Sequence, residues 1–252
     1  DDKVLAHANP LALEVPEIWD DLKKRRDRAV SVVSARENFL CKHCNIIYQG
    51  AGTESFVSID DLRRGRVDEI DWSGDDGILW EGMVFVPENR IEDKSETEKL
   101  DYYAMIDSGW CVSCGDEIVS YKVIEDYALE IERRYGVNVI GLGFDRWNAI
   151  SSAQKLEDGG MSCTIIEQHS RTLHSPTKWL SEVVERGKFH YARNDLLEIN
   201  FQNARCTFDT NMNRYVSKKK SNGKIDMVAA TINAMHLLQQ YILSGAGWVI
   251  QT

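Results

Sequence analysis

Two aspartates stand where a carboxylate has chemical use. Asp145 ends the apolar run Val137, Val139, Ile140, Leu142 and Phe144, which reads as a buried strand. Asp226 opens the helical pattern DMVAATINAMHLLQQYIL. In open α/β sheets ligands gather outside the carboxyl ends of the strands, so a charge ending a central strand faces a site. Each aspartate also has a plainer use. Asp145 can cap the following helix pattern, RWNAISSAQKL, and Asp226 can sit in a first helical turn, favoured by the dipole. The small residues Ala229, Ala230 and Ala234 would let the last helix pack close to the sheet and bring Asp226 toward the strand ends. Two carboxylates so placed repel one another unless a cation neutralises them, and hard oxygen donors suit Mg²⁺ or Mn²⁺. One or two such ions would activate a water and stabilise the leaving oxygen in phosphodiester cleavage, chemistry that usually takes three or four carboxylates. Just before Asp226, VSKKKSNGKID crowds Lys218, Lys219, Lys220 and Lys224. Alone such a run is a solvated loop, but beside a metal carboxylate it suits contact with a phosphate backbone.

The elements that must hold these residues alternate. A charged amphipathic helix is expected from about Glu17 to Val30, then a short apolar segment at Asn38 to Tyr48, then GAGTES as a linker. From Phe56 onward, ILWEGMVFVP is a strand candidate ended by Pro87, and YYAMIDSGWCVS and DEIVS are further strand candidates. Residues 120–136 carry Val123, Ile124, Tyr127, Ala128 and Ile131 on one helix face, closed by Gly136. The strand 137–144, a short helix after Asp145, the strand MSCTIIEQ and a helix from Pro176 to Gly187 follow. The pattern is α/β.

At 252 residues with 43% hydrophobic residues, the chain can bury a proper core. No run approaches the roughly 18 apolar residues of a membrane span, and DDKVLAHANP lacks the features of a signal peptide, so a cytosolic setting is expected. A net charge of −10 argues against a protein that coats nucleic acid nonspecifically, leaving room for one basic rim beside an acidic centre. Two C-x-x-C pairs, Cys41/Cys44 and Cys111/Cys114, invite a zinc reading, yet residues 45–110 separate them and the first pair lies in an apolar segment without turn glycines. Reduced, partly buried thiols are the expectation. No G-x-x-x-x-G-K-[ST] occurs, so ATP hydrolysis is not expected of this chain.

The succession GLGFDRWNA, EQHSRTLHSPTKWLSEVVERGKFHYARNDLLEINFQNA and KIDMVAATINAMHLL is similar to the C-terminal nuclease domain of tailed-phage terminase large subunits. ANPLALE and ENFLCKHCN resemble the segment that leads out of that family's ATPase domain. The resemblance implies a ribonuclease H-like mixed sheet flanked by helices, with residues 1–54 as a helical linker at the end of the ATPase domain and residues 55–252 as the nuclease domain. It implies cutting of concatemeric viral DNA in a packaging motor. The expected partners are double-stranded DNA, a small terminase subunit, a portal and further copies of the chain, in the cytoplasm of an infected bacterium. Asp145 and Asp226 match metal-ligating positions of the family, for one or two Mg²⁺ or Mn²⁺ ions. The family's first motif, an apolar run followed by Asp, a small residue and Ser, is not found. Either a stretch is missing within residues 66–77, or Asp71 in IDWSGDD substitutes as the third catalytic carboxylate, with Asp75 and Asp76 as weaker candidates, or the segment is a genuine deletion. A chain without that carboxylate would serve as a docking module of the motor instead of a nuclease. His169 and His174 are candidate bases more readily explained as loop bystanders, and Trp147 and Trp179 are expected to pack the core.

Overall fold

The computed structural model describes residues 2–31, 33–44, 55–74, 77–145 and 150–245. The first part is helical: α1 (Asp2–Ala8), a 3-10 turn (Pro10–Glu14), α2 (Pro16–Ser31) and α3 (Val33–His43). These helices share a small core of Leu5, Ala12, Leu22, Ala29 and Phe39. The amphipathic helix expected over 17–30 is α2, and the apolar segment expected from Asn38 falls within α3 as far as His43. The linker GAGTES lies outside the described residues apart from Ser55.

Then helices and short strands alternate: α4 (Ile59–Arg63), β1 (Arg66–Val67), β2 (Ile78–Trp80), β3 (Val84–Val86), α5 (Ile91–Glu98), α6 (Tyr102–Asp107), β4 (Cys111–Ser113), α7 (Tyr121–Tyr135) and β5 (Leu142–Phe144). The chain continues through α8 (Ile150–Asp158), β6 (Cys163–Ile165), α9 (Ser170–Glu185), β7 (Phe189–Ala192), α10 (Asp195–Asn203), the hairpin strands β8 (Cys206–Phe208) and β9 (Arg214–Val216), and α11 (Asp226–Leu243). β1 and β2 flank β7, all parallel, while β3 pairs with β4 and β5 with β6, also parallel. β8 and β9 are antiparallel. The described strands thus form three short parallel sheets and one antiparallel hairpin.

A second, larger core joins these pieces. Phe189 of β7 and Phe56 both pack on the ring of Phe201 in α10, each with centroids 5.8 Å apart. Every such buried aromatic contributes roughly 2–3 kcal/mol of apolar transfer energy. Beneath them Glu198 is 3% exposed and fully engaged: the Tyr191 hydroxyl donates to it at 3.0 Å, Arg63 at 2.7 Å and Arg66 at 3.3 Å. That network ties α4, β1, β7 and α10 together. Removing both arginines would leave a buried charge uncompensated.

Several sequence expectations change. ILWEGMVFVP forms two strands in different sheets, not one, with Gly82 at the break; a Cβ there would meet the Trp80 ring at 2.5 Å. YYAMIDSGWCVS begins as helix α6, because Asp101 accepts the Ala104 amide as an N-cap at 3.0 Å and Tyr102 and Met105 bury at helical spacing. Only Cys111–Ser113 is strand, and DEIVS forms none. The strand expected over 137–144 shrinks to β5. α9 begins six residues before Pro176, where His169 accepts the Thr172 amide as its cap, so the proline lies inside the helix. α7 does end at Gly136, whose φ of +65° is the left-handed cap that glycine adopts without steric cost.

Candidate functional site

Asp145 follows the last residue of β5 and is exposed. It lines a cavity of about 350 Å³ together with Gln168, Tyr215, Lys218, Lys219, Ile225 and Ala229. Beside α9, β9 and the loop after it, three elements border that cavity. β5 and β6 run parallel, so their carboxyl ends release Asp145 and Gln168 on the same side. Gln168 is fixed by its own amide, which donates to the Ile166 carbonyl and to Asn233 Oδ1 of α11, both at 3.1 Å. The third element, α11, comes close over β5 because of a glycine on the strand. A Cβ at Gly143 would meet Ile166 Cδ1 at 2.3 Å and Leu237 Cδ1 at 3.1 Å. The alanines of the helix do not create this close approach. Ala230 and Ala234 are exposed, Ala229 faces the cavity, and the packed face is Met227, Val228, Thr231, Ile232 and Met235.

Asp226 is the first residue of α11. Asn200 Oδ1 accepts the neighbouring Met227 amide at 3.1 Å, which anchors this helix start to α10. Lys218, a wall of the cavity, places its Nζ 3.0 Å from Asp226 Oδ1. Asp145 lines the cavity, and Asp226, which does not, is joined to one of its walls through the ammonium group of Lys218. Their exposure is high, 67% for the Lys218 side chain and 64% for that of Asp226, so water screens the pair.

The lysine run is held by its backbone. Ser221 Oγ donates to the Ser217 carbonyl at 2.8 Å, and the Arg205 amide donates to Ser221 Oγ at 3.1 Å. The Asn203 side-chain amide donates to the Lys224 carbonyl at 3.2 Å. Lys218, Lys219, Lys220 and Lys224 are all exposed. The hairpin leading to them is braced by Asp209, which accepts from the amides of Asn211 and Asn213 and from the Asn213 side chain; these bonds, led by the last, pull its pKa down to about 2. Beyond Asp226, Glu98 accepts the Tyr102 hydroxyl at 2.6 Å and pairs with Lys94 at 3.2 Å and Lys224 at 3.7 Å. Burial, more than these charges, pushes the Tyr102 phenol well above its ordinary range.

Asp71 lies elsewhere. It sits in the turn after β1, accepting the Ser73 amide at 3.0 Å and the Ser73 hydroxyl at 2.6 Å, and these bonds lower its pKa. It is not among the residues lining the Asp145 cavity. Asp75, Asp76 and Trp147 fall outside the described residues. His169 pairs with Glu167 at 2.7 Å and His174 meets the Arg214 carbonyl at 3.0 Å. His169 and Trp179 line a larger groove of about 740 Å³ between α9 and α11, which holds neither Asp145 nor Asp226. Trp179 also packs against the main core. Cys111 and Cys114 are buried, whereas Cys41 is exposed on α3.

Among the described residues no three His, Cys, Asp or Glu side chains gather closely enough to hold a metal ion. The donors at the cavity suit one hard divalent ion held by one or two carboxylates, its remaining positions filled by water and phosphate oxygens. They fall short of a two-ion set. Sequence reasoning missed Gln168 and Gly143. Gln168 was within reach, since it is the last residue of the expected strand MSCTIIEQ, three residues beyond β6.

Residues 69–240 match the family model described as the terminase large subunit, endonuclease domain. The chain is 24% identical over 164 residues to the terminase large subunit of Enterobacteria phage HK97, a span that covers 63% of this chain and 32% of that protein. The crystal structure of the HK97 bacteriophage large terminase superposes with a TM-score of 0.64 at 17% identity, covering 94% of this chain and 54% of the other. The large terminase nuclease of thermophilic phage G20c with bound magnesium is a slighter likeness, at TM-score 0.37 and 16% identity over 46% of this chain and 61% of that one. This chain thus spans about half the length of the HK97 structure and shares its fold, which in terminase nucleases is ribonuclease H-like. With more than half of its residues inside the family match, the chain belongs to the terminase large subunit endonuclease domain family.

Proposed function

We propose that the chain cuts DNA phosphodiester bonds in a divalent-metal-dependent reaction, as the nuclease of a terminase that cleaves concatemeric viral DNA during packaging. Support comes chiefly from the meeting of Asp145 with Lys218 and Lys219 at one cavity, with Asp226 paired to Lys218. Asp145 and Asp226 hold the ion, Mg²⁺ or Mn²⁺. When bound it neutralises phosphate charge and lowers the pKa of a water. The protein's own groups do the rest. Lys218, Lys219, Lys220 and Lys224 bind the phosphate backbone, a contact that positions DNA without reading its sequence. Gln168, its N–H groups committed to Ile166 and Asn233, offers its carbonyl oxygen to orient a water. In this division residues 1–54 lead from a preceding ATPase domain and residues 55–252 form the nuclease. A small terminase subunit, a portal, further copies of the chain and double-stranded DNA are its partners in the host cytoplasm.

Supercoiled plasmid incubated with the chain in Mn²⁺, Mg²⁺ or EDTA tests this reading: nicking and linearisation in metal, and none in EDTA, is the expected outcome. A second reading, a docking module of the motor without cutting activity, is favoured by one observation. Among the described residues no third carboxylate gathers with Asp145 and Asp226, and Asp71 is engaged with Ser73 away from the cavity. Folded, DNA-binding protein that leaves plasmid intact in every metal would establish that reading instead.

A further inference from the structure

Lys218 does two things at once. Its Nζ lies 3.0 Å from Asp226 Oδ1, and its side chain lines the cavity that Asp145 enters. Lys224, the lysine nearest Asp226 in sequence, is turned toward Glu98 at 3.7 Å. A positive charge thus already neutralises the carboxylate assigned to the ion, and Lys218 is also among the residues assigned to DNA phosphates. An ammonium and a divalent ion cannot both hold one carboxylate closely without repelling one another. A nucleic-acid phosphate beside the cavity gives the ammonium another anion to pair with.

We propose that Lys218 is a charge latch on Asp226: it occupies the cation position in the free protein and leaves for a DNA phosphate when DNA binds, so that DNA and metal strengthen each other's binding. The inference rests on the assignment of Asp226 as a metal ligand. Reciprocity is required, because two ligands coupled through one residue raise one another's affinity by the same factor. Lys218 is a positioning residue here. The screened, exposed setting of the pair keeps the effect small, so loss of the latch should tighten metal binding about two- to fivefold.

Calorimetric titration of Mn²⁺ into the DNA-free chain tests it, across wild type, Lys218→Arg, Lys218→Ala and Lys218→Glu. The affinity should rise in the order of falling charge: Arg equal to wild type, Ala about two- to fivefold tighter, and Glu tighter still because it adds a carboxylate. Repeating the titration with a bound duplex should narrow the gap between wild type and Lys218→Ala, since DNA has already drawn the latch away. Affinities that do not follow charge, or a gap unchanged by DNA, overturn the latch. Asp226→Asn separates the two claims. If that variant loses Mn²⁺ binding while the Lys218 series is flat, the metal assignment stands and the latch falls; if it binds Mn²⁺ as wild type does, both fall.

Discussion

Trp80 Nε1 donates to Thr231 Oγ1 at 2.8 Å, and the same hydroxyl donates to the Met227 carbonyl one turn back at 2.8 Å. Strand β2 is thereby fastened to the helix that begins with Asp226. Thr231 is 4% exposed, so its replacement by Val strands a partly buried indole N–H. Thr231→Val should cost about 1–2 kcal/mol in denaturant unfolding, from the loss of one bond and an unsatisfied donor. An unchanged midpoint would show that this fastening adds nothing to stability.

Gly143 sets how near α11 approaches β5. The far end of Ile166 stands where a Cβ would be, and a flexible side chain yields more readily than backbone, so Ala is the milder change. Gly143→Val should destabilise by about 1–3 kcal/mol through overpacking. Because the strain falls two residues before Asp145, Mn²⁺ affinity should fall with it, beyond what Thr231→Val produces.

Much of this arrangement is legible in the residues. The helix ending at Gly136, the long helix from Asp226 and the carboxylate ending a strand all follow from periodicity and caps, which are local. The strands are not legible to the same degree. ILWEGMVFVP reads as one apolar run, but whether such a run stays in one sheet depends on which neighbours pair with it, and the two halves find β7 and β4. α6 reads as strand in the sequence because its apolar content outweighs the capping signal of Asp101. Alanines on α11 suggest its close approach to the sheet, and the space comes instead from a strand glycine, a matter of tertiary fit that spacing alone does not carry.

The exposed lysines should act additively on DNA. Lys219→Ala and Lys220→Ala should each lower the slope of log affinity against log salt by about 0.9 for duplex DNA, one phosphate contact apiece. Both should weaken binding to unrelated sequences equally. A sequence-dependent loss would contradict a backbone-only role.

Two buried thiols give a pH signature. Burial pushes Cys206 and Cys111 up to about 11 from an ordinary value near 9. A group raised in the folded state contributes stability that is complete below its unfolded pKa and is lost as pH climbs through the folded value. Unfolding midpoints should therefore fall between pH 9 and 11, and Cys206→Ala should flatten part of that fall. In the folded chain at neutral pH, iodoacetamide should mark the exposed Cys41 and spare Cys111 and Cys206.

Asp145 and Asp226 are proposed to form one centre. Its most direct test is the rate of Mn²⁺-dependent plasmid cutting by Asp145→Asn, Asp226→Asn and the double variant. Groups that act as a unit are non-additive, so each single change should abolish cutting nearly as completely as both together, by at least about 100-fold. Single losses that multiply in the double variant, or a variant that cuts like wild type, would contradict a shared centre.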